Sequence, residues 1–174
     1  MAILQIIKAP DPRLKLSCEP VEHVDKDIKR LMEDMLETIY DAPGIGLAAP
    51  QVGITKRVIV AEVVRAEEKR QPYLMANPEI LWASDEEWEY EEGCLSLPGQ
   101  YAMLMRPERI RIAYLDENNK AQEMEAEGIL STCIQHEMDH LDGKLFVDHL
   151  SKLKRQLILR RLVKQQKQKA AVNA

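Results

Sequence analysis

Residues 135–140 read Gln-His-Glu-Met-Asp-His, a His-Glu-x-x-His run inside an apolar stretch. No other feature constrains the chain as much. In a helix, four residues turn by about 400°, so His136 and His140 share a face one turn apart. Two imidazoles so placed can close on one divalent cation, with Glu137 beside them as a proton carrier. Ile129, Leu130, Cys133, Ile134, Met138 and Leu141 spread apolar surface over most sides of residues 129–141. A helix that is apolar nearly all round belongs inside a molecule, so the fold has to be built around this segment. Gly143 supplies its stop. The plain alternative is a buried histidine pair that only hydrogen-bonds.

The rest of the chain supplies the surrounding elements. Over residues 25–40, Ile28, Leu31, Met32, Met35, Leu36, Ile39 and Tyr40 follow the i, i+3, i+4, i+7 spacing of an amphipathic helix, which Pro43-Gly44 ends. Residues 57–64 read as a strand. A second strand region, 73–84, is broken at Asn77-Pro78, and residues 65–71 read as a charged solvent loop. Residues 88–92 lead into Gly93-Cys94-Leu95-Ser96, with a turn expected at Pro98-Gly99 and a strand at 103–105. Ile110, Ile112 and Tyr114 alternate through a strand at 109–115. Asn118-Asn119 suit the positive φ of a hairpin turn, and 122–126 return. Ser151 can cap a last helix to about Lys169, with Leu153, Leu157, Leu162 and Val163 among its packing positions. This order predicts an α+β fold. Antiparallel sheets pack around the central helix, with an N-terminal amphipathic helix and a basic C-terminal helix. A single domain is expected over 1–174, with 151–174 as the basic helix and tail.

Charge is unevenly shared. Nothing after Asp148 is acidic, while eight Lys and Arg follow it; the first 148 residues hold 16 basic against 29 acidic. The tail is either a solvated helix face or a docking element for a polyanion such as ribosomal RNA. No run approaches the roughly 18 apolar residues of a membrane span, and the apolar run at the N-terminus is too short for a signal peptide. A cytoplasmic location without membrane contact is the expectation. Cys18, Cys94 and Cys133 are too few, and odd in number, for a disulfide framework; metal ligation, catalysis or burial remain.

A catalytic metal needs a third protein ligand and one open position. Extending the run as H-x-x-G-x-x-H puts Phe146 at the ligand position, and a phenyl ring cannot coordinate. The downstream acidic ligand of thermolysin-like sites has no candidate after Asp148. His149 stays open on spacing. Upstream, Cys94 offers a thiolate suited to a borderline-soft ion, although alone it reads more readily as a small buried hydrophobe. Gly44-Ile45-Gly46-Leu47-Ala48-Ala49-Pro50-Gln51 fits G-x-G-x-x-A. It follows a helix rather than a strand, and Pro50 disfavours a continuing helix, so a dinucleotide loop is rejected. Its small residues let an extended backbone come close to a neighbour, with the Gln51 amide at the end; the other reading is a tight structural loop.

Three segments, Gly44-Ile-Gly-Leu-Ala-Ala-Pro-Gln51, Glu92-Gly-Cys-Leu-Ser96 and His136-Glu-Met-Asp-His140, resemble in order and spacing the signature motifs of the peptide deformylase family. The likeness runs from the Asp11-Pro12 turn to the basic last helix and is similar to the bacterial form with a helical C-terminus. It implies a metal-dependent hydrolase that removes the formyl group from the N-terminal formyl-methionine of nascent polypeptides. It implies Cys94, His136 and His140 as metal ligands and Glu137 as general base and acid. Gln51, through its amide, and Leu95, through its backbone N–H, are the implied oxyanion donors. Gly44, Ile45, Gly46, Glu92 and Cys133 are the implied substrate-site positions. The three at 44–46 would pair with an extended peptide, Ile45 and Cys133 would line the methionine pocket, and Glu92 would form a supporting ion pair with Arg106. The implied ion is Fe(2+) in cells, with Zn(2+), Ni(2+) or Co(2+) able to replace it. The implied partners are formyl-methionyl nascent chains and, through the basic helix, the ribosome; a monomer is expected. Tyr101 stands where some bacterial members carry arginine. Two other readings remain: a general metallopeptidase resting on H-E-x-x-H alone, and a non-enzymatic module whose structural metal needs a fourth protein ligand.

Overall fold

The computed structural model describes residues 2–64 and 69–173. Helix α1 (Lys26–Asp41) is N-capped by Asp25, whose carboxylate accepts from the Ile28 N–H at 2.9 Å. Seven strands follow: β1 (Gly46–Ala48), β2 (Val58–Ala61), β3 (Tyr73–Ala83), β4 (Glu87–Cys94), β5 (Leu97–Pro107), β6 (Arg109–Leu115) and β7 (Ala121–Glu127). Helix α2 (Gly128–Leu141) carries the histidines, and α3 (Lys152–Asn173) ends the chain. One antiparallel sheet has the order β1-β2-β3-β6-β7; β4 and β5 pair separately as a long hairpin.

The two-residue alternation of strands divides the core. Val58, Val60, Leu74 and Ala76 pack with Ile28, Met32, Met35 and Ile39 of α1. Ile59, Ala61, Met75, Ile110, Ile112 and Ala126 pack with Cys133, Ile134 and Leu141 of α2. Strand β2 is therefore buried on both faces, as its unbroken Val-Ile-Val-Ala demands. A third cluster joins Leu97 and Leu104 of β5 to Leu145, Phe146, Val147 and to Ile158 and Leu162 of α3. Each large side chain buried this way contributes roughly 1.5–3 kcal/mol. Antiparallel sheets around a central buried helix are the architecture expected above.

Several details differ from expectation. Strand β3 is not broken at Asn77-Pro78: a register shift between residues 76 and 79 absorbs them as a bulge, which suits a proline that has no N–H to give. Asn77 takes φ 50° there, and its amide grips Val21, accepting from its N–H and donating to its C=O, both at 2.8 Å. The hairpin turns at Leu95-Ser96, not at Pro98-Gly99, which lie inside β5. Of Asn118 and Asn119 only Asn119 has positive φ. In α3, Leu153 and Leu157 are exposed, while Ile158 and Leu162 are buried; one narrow stripe of this helix touches the core. Of the loop read at 65–71, residues 65–68 lie outside the described residues. No helix among the described residues is long and apolar enough to cross a membrane.

Candidate metal centre

The turn at Leu95-Ser96 swings Cys94 towards α2. Cys94 Sγ lies 3.4 Å from His140 Nε2, and one ligand atom from each of Cys94, His136 and His140 falls within 4.8 Å of the others. The two rings are 5.1 Å apart between centroids, at 67°. Glu92 Oε1 sits 2.9 Å from His136 Nδ1. A carboxylate only accepts, so Nδ1 carries a proton. Burial opposes a charged ring, yet the bonds to Cys94 and Glu92 hold the His136 pKa well above its usual range, and a cation taking Nε2 would displace the second proton. Burial holds His140 well below its usual range, with His136 and Arg106 adding to the effect, so this ring is neutral and able to donate a lone pair. A thiol sulfur and two imidazole nitrogens from converging, mostly buried side chains fit a divalent ion of borderline softness. Among the described residues, no fourth Cys, His, Asp or Glu joins them. His149, left open on spacing, instead meets Asp139 Oδ2 at 2.8 Å.

Glu137 is buried next to the three. Burial pushes its carboxyl up to about 7, against the pull of the nearby His136, and its Oε2 has no partner among the described residues. Gln51 is also buried, in the 3-10 turn Ala49–Val52. Its Oε1 accepts from the Ala48 N–H at 2.9 Å; its Nε2 donates to Ser96 Oγ at 3.0 Å and faces Cys94 Sγ at 3.4 Å. Leu95 is half-buried, and its side chain lies against Gly44.

A cleft of about 440 Å³ leads to these groups. One wall is the segment 44–46, continuous with β1, the edge strand of the main sheet. The other is the hairpin, with Tyr90, Gly93 and Tyr101. Gly46 is required by contact: a Cβ there would lie 2.7 Å from Cys133 Sγ and 2.9 Å from Glu137 Oε1. Cys133 donates to Ile45 O at 3.4 Å, and burial pushes its thiol well above the ordinary range, so it stays protonated. Glu92 lies on the cleft wall, but both its oxygens are engaged. Arg106 donates to it at 2.6 and 3.0 Å and reaches Asp139 at 2.9 Å. Burial would raise the Glu92 carboxyl, yet bonds from His136 and Arg106 outweigh it and keep the group below the usual range.

Sequence reasoning missed Ser96 and Asp139 as partners of site residues. Ser96 stands in the quoted segment and Asp139 inside the His-Glu-x-x-His run, so a polar residue beside a ligand was the available signal. Trp88, in the stretch that leads into Gly93-Cys94, donates from its Nε1 to Thr132 Oγ1 at 2.9 Å and ties the hairpin to α2.

Comparison with known proteins follows the same lines. The family profile described as polypeptide deformylase matches residues 3–156. A peptide deformylase of Rhizobium meliloti (strain 1021) is 51% identical over 171 residues, covering 98% of each chain. The crystal structure of peptide deformylase from Ehrlichia chaffeensis superposes with a TM-score of 0.94 at 40% identity, covering 97% of this chain and 99% of that one. A structure of the Ehrlichia enzyme in complex with actinonin gives 0.91 at 43% identity, covering 95% and 98%. With its Cys-His-His convergence, its helix-borne glutamate and this likeness along almost its whole length, the chain belongs to the polypeptide deformylase family.

Proposed function

We propose that this chain hydrolyses the formyl group from the N-terminal formyl-methionine of newly made polypeptides in the cytoplasm, releasing formate. The observation that carries this reading is the meeting of Cys94, His136, His140 and the buried Glu137 at a cleft beside an open sheet edge. Cys94, His136 and His140 would hold one divalent ion, Fe(2+) in cells, with Zn(2+), Ni(2+) or Co(2+) compatible with the same donors. When bound, such an ion supplies Lewis acidity, lowering the pKa of a coordinated water and polarising the formyl oxygen.

The protein's own groups do the rest. Glu137 takes a proton from the attacking water and returns it to the departing amine; its buried carboxyl is suited to changing state near neutral pH. The Gln51 amide and the Leu95 backbone N–H donate to the oxygen that becomes negative, each contributing about 3 kcal/mol. Gly44, Ile45 and Gly46 hydrogen-bond an extended peptide as an added strand through the backbone groups left over once the Gly44 N–H has gone to Ile39 and the Ile45 C=O to Glu62, and Cys133 with Ile45 flanks the methionine side chain. Glu92 acts on the substrate site through His136, fixing its tautomer, with Arg106 holding Glu92 in turn. A formyl carbon bears only hydrogen, so a tight site admits it and rejects larger acyl groups by clash. The basic outer face of α3 is a docking surface for ribosomal RNA, and the enzyme works as a monomer.

Formate release from formyl-methionyl peptides, measured beside cleavage of internal peptide bonds, separates this from a general metallopeptidase. Glu137→Gln should keep the metal and lose roughly 10²- to 10⁴-fold in kcat. Cys94→Ala should lose the metal; full metal content and activity in that variant would remove Cys94 from the ligand set.

A further inference from the structure

The outer face of the β4–β5 hairpin has no part in the reaction above. Strand alternation puts Glu87, Glu89 and Glu91 on it. The antiparallel register sets Met105 opposite Glu89, Met103 opposite Glu91 and Tyr101 opposite Gly93. The inner face turns Glu92, Leu104 and Arg106 into the protein. Tyr101, Met103 and Met105 are 64%, 49% and 55% exposed. Among the described residues Glu86 pairs with Arg109 at 3.2 Å, while none of the three stripe carboxylates meets a cationic side chain. An exposed apolar strip beside a row of like charges does nothing for an isolated hairpin. The face is also continuous with the cleft, because Glu91, Gly93 and Tyr101 line its rim. The Tyr101 ring lies so close over Gly93 that a Cβ there would sit 2.6 Å from it. The way out of the cleft is thus paved by an aromatic ring.

We infer that this face is an exosite for the stretch of substrate polypeptide beyond its third residue, and that it favours chains in which Lys or Arg is interspersed with apolar residues. The inference rests on the deformylase reading of the cleft and names the class of chain that reading leaves open. An extended peptide rises about 3.3 Å per residue, so about six residues span Gly93 to Glu87. Basic side chains reach the carboxylates on one flank, and apolar ones lie on Tyr101, Met103 and Met105 on the other. Unbranched methionines adapt to varied side chains, as a surface serving many nascent chains must. Two copies of this protein packed symmetrically through the face would set its acidic row against itself, which argues for a cationic peptide instead.

The test uses the full-length, metal-loaded protein with formyl-Met-Ala-Ser and two longer formyl peptides of about twelve residues. These share their first three residues, and one carries Lys and the other Glu at alternate later positions. The basic peptide should be favoured by roughly tenfold in kcat/KM at low ionic strength, mainly through KM, and the preference should shrink with salt. In Glu87→Gln/Glu89→Gln the preference should collapse while tripeptide turnover holds. Met103→Ser/Met105→Ser should weaken both long peptides alike. Equal turnover of the two long peptides by the unsubstituted protein overturns the exosite alone, as does a preference that survives the glutamine variant. Concentration-dependent dimers dispersed by the serine variant give the face to a second copy and also overturn it. Absence of formate release from the tripeptide overturns the deformylase reading, and the exosite with it.

Discussion

Gly44 and Gly46 stand two residues apart on one cleft wall, yet they do different work. A Cβ on Gly44 would meet Leu95 Cδ1 at 2.8 Å, the free end of a flexible side chain that can turn aside. A Cβ on Gly46 would meet Cys133 Sγ and Glu137 Oε1, both buried and held by α2. Gly46→Ala should therefore displace the Glu137 carboxylate and lower kcat by roughly 10- to 100-fold with metal content unchanged, while Gly44→Ala stays within about threefold. Steady-state kinetics with metal analysis on the two variants checks this; equal losses would refute the contact argument. The sequence showed that small residues at 44–46 allow close approach, but not what they approach. Likewise His136 and His140 were legible from local helical spacing alone. The choice between Cys94 and His149 was not, because it turns on a hairpin bend and on Asp139 capturing the His149 ring.

Between elements, the hairpin is fastened to α2 by a buried chain of charges. Arg106 on β5 binds Glu92 on β4 and Asp139 on α2, and Glu92 binds His136. Arg106→Met would leave the Glu92 carboxylate buried beside an apolar side chain, at a cost of about 3–5 kcal/mol. Urea midpoints should show that loss, and Glu92→Gln in the same chain should recover part of it. Helix α3 calls for a different experiment from simple removal. Deleting 151–174 strips Ile158 and Leu162 from the third core cluster, so it would weaken the whole molecule before it tested docking. Arg160, Lys164 and Lys167 lie exposed on one outward face. Changing all three to Gln should leave short-peptide turnover intact. It should also flatten the dependence of log K for ribosome binding on log salt by about two to three; an unchanged slope would exclude this face. The Ser151 cap and the apolar positions made the helix readable, and Leu162 among them is buried. Leu153 and Leu157 are exposed, because a helix rich in both Leu and Lys offers several apolar faces and only the neighbouring strand decides among them.

For the molecule as a whole, element order was enough to reach an α+β fold around a buried helix, since an all-round apolar segment has nowhere else to go. The course of strand β3 and the place of the hairpin turn were hidden, because a bulge lets Asn77-Pro78 and Pro98-Gly99 sit inside strands that local turn signals would end. That hairpin geometry makes the candidate metal site a joint between two layers: Cys94 comes from β4, and both histidines from α2. A ligand that binds only the joined layers adds RT ln(1 + [L]/Kd) to stability, about 4 kcal/mol at a thousandfold excess over Kd. For a chain of this length that is on the order of 10 °C in melting temperature. Chelation should thus lower the melting point by about that much and re-addition of metal restore it, read by calorimetry without reference to activity. Cys94→Ala cuts the joint on the hairpin side, so its melting point should ignore both chelator and metal. If the variant still gained as much stability from metal as the unsubstituted chain, the ion would be held within α2 and its surroundings alone, and the two layers would owe their union to the Arg106 network and the core.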